Sequence, residues 1–371
     1  MILKKTYLCV ICLALLTGCS AVVEGAGVDD GSIAATVNGK PIPEIKVTQF
    51  IETYRSSQGV LQTAELWAET LNNAQLTPEK LRLHVIDAFI EAELIKQDAE
   101  SRGIEVDSDV IEKTISDSRS QYSTKEAWLE ELANAGYPTE ADYRLDLESG
   151  YLRTELKKIV APLTEPTEAE LQEVAPQQAG YYVGKRSSHI LFRADGSMSM
   201  TDVKAQAQGT LDALNGGADF SQMAASFSDD PNSSTVGGDV GWEKLSVTST
   251  FGTEYSSALA QLAVGEYSGL VETSLGVHII YCTDEFRTAS DGTVAYEDIP
   301  AEILQSIAIN YAQQKRDKEF ADYLEALRLN AQVTINGMSS SLPYYVDMGE
   351  HQQAPDEGIS LNPSAEAQLS D

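Results

Sequence analysis

Between residues 77 and 103 apolar side chains recur every three or four positions, at Leu81, Val85, Phe89, Ala92, Ile95 and Ala99. That spacing predicts an amphipathic helix. Thr77 and Pro78 supply its N-cap and its first-turn proline, and Gly103 stops the run. Ser123-Thr-Lys-Glu126 and Thr139-Glu-Ala-Asp142 read as capping boxes, the second with Asp where Glu or Gln is usual. They open further helices, the last carrying Tyr143 and Leu147 on to about residue 160, and Pro162 and Pro166 close the region. Upstream, 34–42 reads as a short strand that turns at Asn38-Gly39.

From 181 to 286 the pattern changes. A strand is predicted at 187–192, helices at 201–214 and 219–227, and turns over 228–241, where Pro231 and several glycines cluster. A helix near 255–262 and an apolar strand at 277–282 complete an α+β unit. After a linker rich in Ser, Asp and Gly, 300–330 reads as one long helix bearing Ile303, Ile307, Tyr311, Phe320, Leu324 and Leu327. A last strand is predicted at 332–335. The end of the chain has no Lys or Arg after 338 and many small residues, which predicts disorder.

Composition narrows the function. The chain has 371 residues, 42% of them hydrophobic, enough for two or three domains with a sizeable core. A formal net charge of −31 excludes a general nucleic-acid-binding surface, which needs clustered Lys and Arg, and excludes electrostatic adhesion to anionic lipid. No apolar run is long enough to span a bilayer.

Lys4 and Lys5 precede an apolar stretch over 7–16 and then Leu16-Thr17-Gly18-Cys19, the layout of an export signal. Small residues leading into one cysteine resemble the lipobox of bacterial lipoproteins. The resemblance implies that Cys19 is lipidated and becomes the first residue, anchoring the protein outside the cytoplasm on a bacterial membrane by acyl chains. An ordinary secretory signal with an incidental cysteine is the alternative. Cys9 and Cys12 leave with the signal, so Cys282 is the one cysteine left unmodified. That predicts no internal disulfide and no thiolate metal cluster.

Two of the four histidines, His189 and His278, fall on the two predicted strands of the middle unit. Spacing alone favours a satisfied core imidazole at each, over one shared site. Around them stand Gly217-Ala-Asp-Phe-Ser-Gln-Met-Ala-Ala-Ser-Phe-Ser-Asp-Asp230, Gly237-Gly-Asp-Val-Gly-Trp242 and the run from Gly265 through Gly276-Val-His-Ile-Ile280. In this order they resemble the parvulin family of peptidyl-prolyl cis/trans isomerases, whose four-stranded sheet is wrapped by helices. The resemblance implies that His189 and His278 are the paired inward histidines. Asp230 is then the acidic group beside the prolyl carbonyl, and Thr273 the hydroxyl that joins the histidine network. It implies that Phe251 and Tyr255 line the proline pocket, although 241–262 is a few residues longer than the family pattern. No metal and no cofactor is implied. Phosphate-directed members carry a basic cluster after the first strand; here it is Arg193-Ala-Asp-Gly-Ser, and phosphate specificity is not expected.

The flanks resemble extracytoplasmic foldases of the PrsA and SurA type. The resemblance implies an α+β parvulin domain, a small antiparallel sheet wrapped by helices, inserted in a mostly helical chaperone domain built from N- and C-terminal segments. The boundaries expected are a signal at 1–18, a tether at 19–33, the chaperone domain at 34–165 and the parvulin domain at 181–286. A helix and strand at 297–336 would complete the chaperone domain, and 337–371 would be a disordered acidic tail. The implied partners are unfolded secreted proteins and their Xaa-Pro segments, with isomerisation of prolyl bonds as the activity. A chaperone whose parvulin domain binds peptides without turnover is the second reading. A hydrolase or metal protein using Cys282, four residues beyond His278, is the third.

Overall fold

The computed structural model describes residues 31–57, 63–194, 198–244 and 248–349. Cys19, the export signal and nearly all of the tether lie outside them. The chain divides into two compact units, Met1–Leu163 with Arg316–Asp371, and Thr164–Lys315.

In the first unit β1 (Ile33–Val37) and β2 (Lys40–Pro43) form a hairpin. Its turn places Asn38 at φ 51° and Gly39 at φ 81°, the left-handed pair that a tight two-residue hairpin demands. β7 (Val333–Ile335) pairs antiparallel with the other edge of β1, setting Ala35 against Ile335. The N- and C-terminal parts of the unit are thus joined in one three-stranded sheet.

Helix Pro78–Ser101 is capped by the Thr77 hydroxyl, which accepts from the Lys80 N–H. It buries Leu81, Val85, Ile86, Ile90, Leu94, Ile95 and Ala99. Each large aliphatic side chain so buried contributes roughly 1.5–3 kcal/mol. The upper part of this stripe shares a core with Val47, Ile51, Trp67 and Leu71 from helices Glu44–Ser57 and Ala64–Asn73. Ile95 and Ala99 pack instead with Leu152 and Leu156 of helix Glu140–Val160 and with Phe320 and Leu324 of helix Ala301–Asn330.

Two expectations need correction here. The expected disordered tail from 337 is packed as far as the described chain runs, with Tyr344, Val346 and Met348 buried in the same core as Trp67. Its few apolar residues alternate with exposed ones, and their partners lie almost 300 residues upstream, so composition alone hides them. The long helix is also not wholly part of the chaperone domain. Its first half, with Ile303 and Ile307, packs in the second unit against Ala175, Ala179, Tyr182 and Phe286.

The second unit opens with helix Glu168–Gln178, which lies ahead of the 181 boundary. A full capping box starts it, Thr167 with Glu170, a signal present in the sequence but masked by Pro176 inside the helix. β3 (Gly184–Arg193), β4 (Asp239–Lys244), β5 (Val271–Thr273) and β6 (Gly276–Phe286) form an antiparallel sheet in the order β4-β3-β6-β5. The end of the stretch read as turns is therefore the edge strand β4. Ile190, Phe192, Val277 and Ile279 face helix Met200–Asn215 through Val203, Ala207 and Leu214. Ile280 and Cys282 face helix Thr253–Gln261 through Tyr255 and Leu259.

Candidate active site

Register brings the two histidines together. β3 and β6 pair His189 with Ile280 and Leu191 with His278, so both imidazoles leave the same face on adjacent strands. Both rings are fully buried. His278 Nδ1 lies 3.3 Å from His189 Nδ1, and His189 Nε2 lies 3.0 Å from Asp230 Oδ2. At the other end Thr273 Oγ1 lies 2.9 Å from His278 Nε2. The four side chains form one unbroken line.

Its polarity follows from the partners. The Asp230 carboxylate only accepts, which fixes the direction for a line of neutral rings, so Thr273 Oγ1, which accepts from the Leu275 N–H, gives its hydroxyl proton to His278 Nε2. His278 then carries its proton on Nδ1 and donates to His189 Nδ1. His189 carries its own on Nε2 and donates to the Asp230 carboxylate.

The electrostatics agree. Burial pushes the His278 imidazole down to about 3, reinforced by the neighbouring His189, and burial lowers His189 against the pull of Asp230. Burial works to raise the Asp230 carboxyl, but hydrogen bonds from Ser233, His189 and the Asn232 amide outweigh it and hold the group below its ordinary value. At neutral pH the line is one carboxylate and two neutral rings.

Asp230 is placed by hydrogen bonds within the turn-rich stretch that follows helix Phe220–Phe227. Ser228 Oγ accepts from the Leu191 and Asp230 amides, the Asp229 N–H donates to the Leu191 carbonyl, and the Arg193 N–H donates to Asp229 Oδ2. The Ser233 hydroxyl donates to Asp230 Oδ2, and the Asn232 N–H to Oδ1. Ser228 and Ser233 are thus positioning residues. The Ser and Asp that begin and fill this turn are its visible signal, since both bond their own nearby backbone. On the opposite side the His189 N–H donates to the Gly238 carbonyl at 2.8 Å. A Cβ on Gly238, at φ 81°, would stand 2.4 Å from the His189 carbonyl oxygen. Only glycine permits this approach.

Phe251 and Tyr255 both reach the pair, and their parts differ. The half-buried Phe251 ring lies 4.6 Å from the His189 ring and 4.9 Å from that of Tyr255. Tyr255 has no exposure, and its hydroxyl pairs with Ser187 Oγ at 3.0 Å. It therefore supports the floor beneath the histidines and does not line an open pocket, a correction set by the depth of helix Thr253–Gln261. Cys282 packs beside Tyr255, and burial raises its thiol, so no thiolate nucleophile is offered. Among the described residues no group of three or more His, Cys, Asp or Glu is placed to hold a metal ion.

Residues 178–286 match the PPIC-type PPIase domain, and residues 1–157 match the SurA-like N-terminal domain. In these two regions the chain resembles the SurA chaperones and PrsA foldases. Among its relatives, the chaperone SurA of Vibrio cholerae is 24% identical over 334 residues, 88% of this chain and 72% of that protein. The foldase PrsA of Geobacillus kaustophilus is 36% identical over 129 residues, 33% of this chain and 39% of that one. Several other SurA relatives are spanned over less than two thirds of their length, that of Alcanivorax borkumensis over 58%. The crystal structure of PrsA from Bacillus subtilis aligns over 82% of this chain and 94% of its own at 17% identity, with a TM-score of 0.32.

Proposed function

We propose that the chain is a peptidyl-prolyl cis/trans isomerase and foldase for secreted proteins, with His189, Asp230, Thr273 and His278 as its catalytic line and Phe251 against the proline ring. The line from Thr273 to Asp230 carries the reading, because it ends in a fixed carboxylate and its His189 ring lies 4.6 Å from the Phe251 ring. Rotation about a prolyl bond breaks no bond. The barrier, about 18–20 kcal/mol, comes from amide resonance, and proline makes the two isomers nearly equal in energy. A site that holds the ring in an apolar contact and presents a preset field to the twisted amide lowers that barrier, tenfold in rate for each ~1.36 kcal/mol. Neutral imidazoles keep the carboxylate charge in one place while the amide turns. No proton has to move.

The test is two-dimensional NMR exchange on proline tetrapeptides with residues 20–371 and its Asp230→Ala variant. Acceleration that the variant loses supports the reading. Absence of acceleration, with aggregation of an unfolded client still suppressed, supports a peptide-binding chaperone without turnover. That second reading draws on the burial of both histidines and on Asp230, only 5% exposed.

The partners under this proposal are unfolded secreted chains and their Xaa-Pro segments. The place of action is outside the cytoplasm, with the protein held on a bacterial membrane by lipid on Cys19. Among the described residues no helix is long and apolar enough to cross a membrane. A Cys19→Ser variant should move from the membrane to the soluble fraction; unchanged fractionation would refute the anchor.

A further inference from the structure

The last described stretch of the chain lies in the first unit as a bound peptide would. After a turn closed by the Tyr345 N–H on the Leu342 carbonyl, burial alternates: Tyr344, Val346 and Met348 point in, Tyr345 and Asp347 out. This is the period of an extended chain. Yet among the described residues no backbone hydrogen bond ties Val346 or Met348 to the core. The polar hold comes from side chains. The Trp67 indole donates to the Tyr344 carbonyl at 2.8 Å, and Arg55 Nη1 donates to the Pro343 carbonyl at 3.1 Å. Arg55 Nε is buried without a partner, a donor to spare.

The pocket for Tyr344 has a polar floor. The phenol donates to Glu44 Oε1 at 2.9 Å, and the same carboxylate is gripped by Arg82 through Nε and Nη2. An apolar pocket ending in a fixed acceptor discriminates a tyrosine from a phenylalanine, because the ring without the hydroxyl leaves a buried acceptor short of a partner.

We infer that the groove holding residues 342–348 is a recognition site for extended, tyrosine-bearing segments of unfolded proteins, and that the chain's own segment is its resident competitor. Alternate side chains enter the core while main-chain carbonyls are read by side-chain donors, a mode akin to other recognition of extended peptides. The resident defines the ligand: a tyrosine, then aliphatic side chains at every second position. Tethered at Asn336, where the strand pairing ends, it competes at a high effective concentration. The inference rests on the chaperone part of the proposed function, but its test is independent of isomerisation.

A full-length Tyr344→Ser variant frees the groove. An acetylated, amidated peptide of residues 339–349 should bind that variant at least tenfold more tightly than wild type, by isothermal titration. The same peptide with Phe at the position of Tyr344 should bind about fivefold to tenfold more weakly. Equal affinity for variant and wild type, or no binding to a variant that is folded by circular dichroism, overturns the inference. Equal affinity of the two peptides overturns the tyrosine selection. Native-state hydrogen exchange on the wild-type chain guards against a variant that fails to fold. The Tyr345 amide should exchange through an opening well below that of helix Pro78–Ser101. Exchange of both only by global unfolding would make the segment a fixed part of the core and end the proposal.

Discussion

His189 Nδ1 and His278 Nδ1 face each other at 3.3 Å across the two central strands of the second unit. One of these nitrogens must donate and the other accept. A proton on both would set N–H against N–H in a buried site, so the register of β3 on β6 excludes a charge on both rings at once and adds to the larger effect of burial.

The pH dependence of stability follows. His278 is held at about 3 in the folded chain against an ordinary value of 6.5. Below pH 6.5 the unfolded chain binds a proton that the folded chain refuses, so stability falls as pH falls from 6.5 toward 3. The slope from this one group is at most about 1.4 kcal/mol per pH unit. His189, lowered too, and Asp230, lowered from 3.8, act in the same direction, the latter at still lower pH. Urea unfolding at pH 7, 6, 5 and 4 should show this decline, and His278→Gln should flatten it. A variant slope equal to the wild type's would refute the assignment.

Thr273 should matter through its proton. Thr273→Val keeps the shape but leaves His278 Nε2 and the Leu275 N–H unpaired, a loss of about 1–3 kcal/mol. Isomerisation should drop by roughly tenfold if the same interaction is retained in the transition state, with restoration in Thr273→Ser. NMR exchange and urea unfolding read the two effects separately; a Val variant as active as wild type would remove Thr273 from the line.

Gly238→Ala should be far more damaging than an average surface change. Its Cβ would strike the His189 carbonyl at 2.4 Å in a left-handed backbone. The loss expected is about 2–4 kcal/mol. A melting temperature within a degree or two of wild type would show that the loop moves aside freely.

The buried pair Glu44–Arg82 lends itself to a double-mutant cycle. Each side chain is under a tenth exposed. Arg82→Met strands a carboxylate that also serves Tyr344, and Glu44→Leu strands a guanidinium. Each should cost about 3–5 kcal/mol, and the double change should recover much of that loss. Additive losses measured by chemical denaturation would contradict coupling through this pair.

Local rules recorded in the sequence account for much of this fold. Thr77-Pro78 opens its helix, Asn38-Gly39 turns its hairpin, and the apolar runs around His189 and His278 become the two central strands, because caps, turns and periodicity act within a few residues. Motif order was enough to pick out His189, Asp230, Thr273 and His278 as one set. The sequence does not contain their distances. Those depend on which strand residue opposes which, a register fixed by packing on both faces of the sheet. The same limit hid β4, whose ladder partner lies some fifty residues away, and the depth that turns Tyr255 from a lining residue into a support. It hid the seat of Tyr344 most completely. A short polar stretch has no local signal for burial, and its place exists only once Glu44, Arg55, Trp67 and Arg82 have been gathered by the tertiary fold.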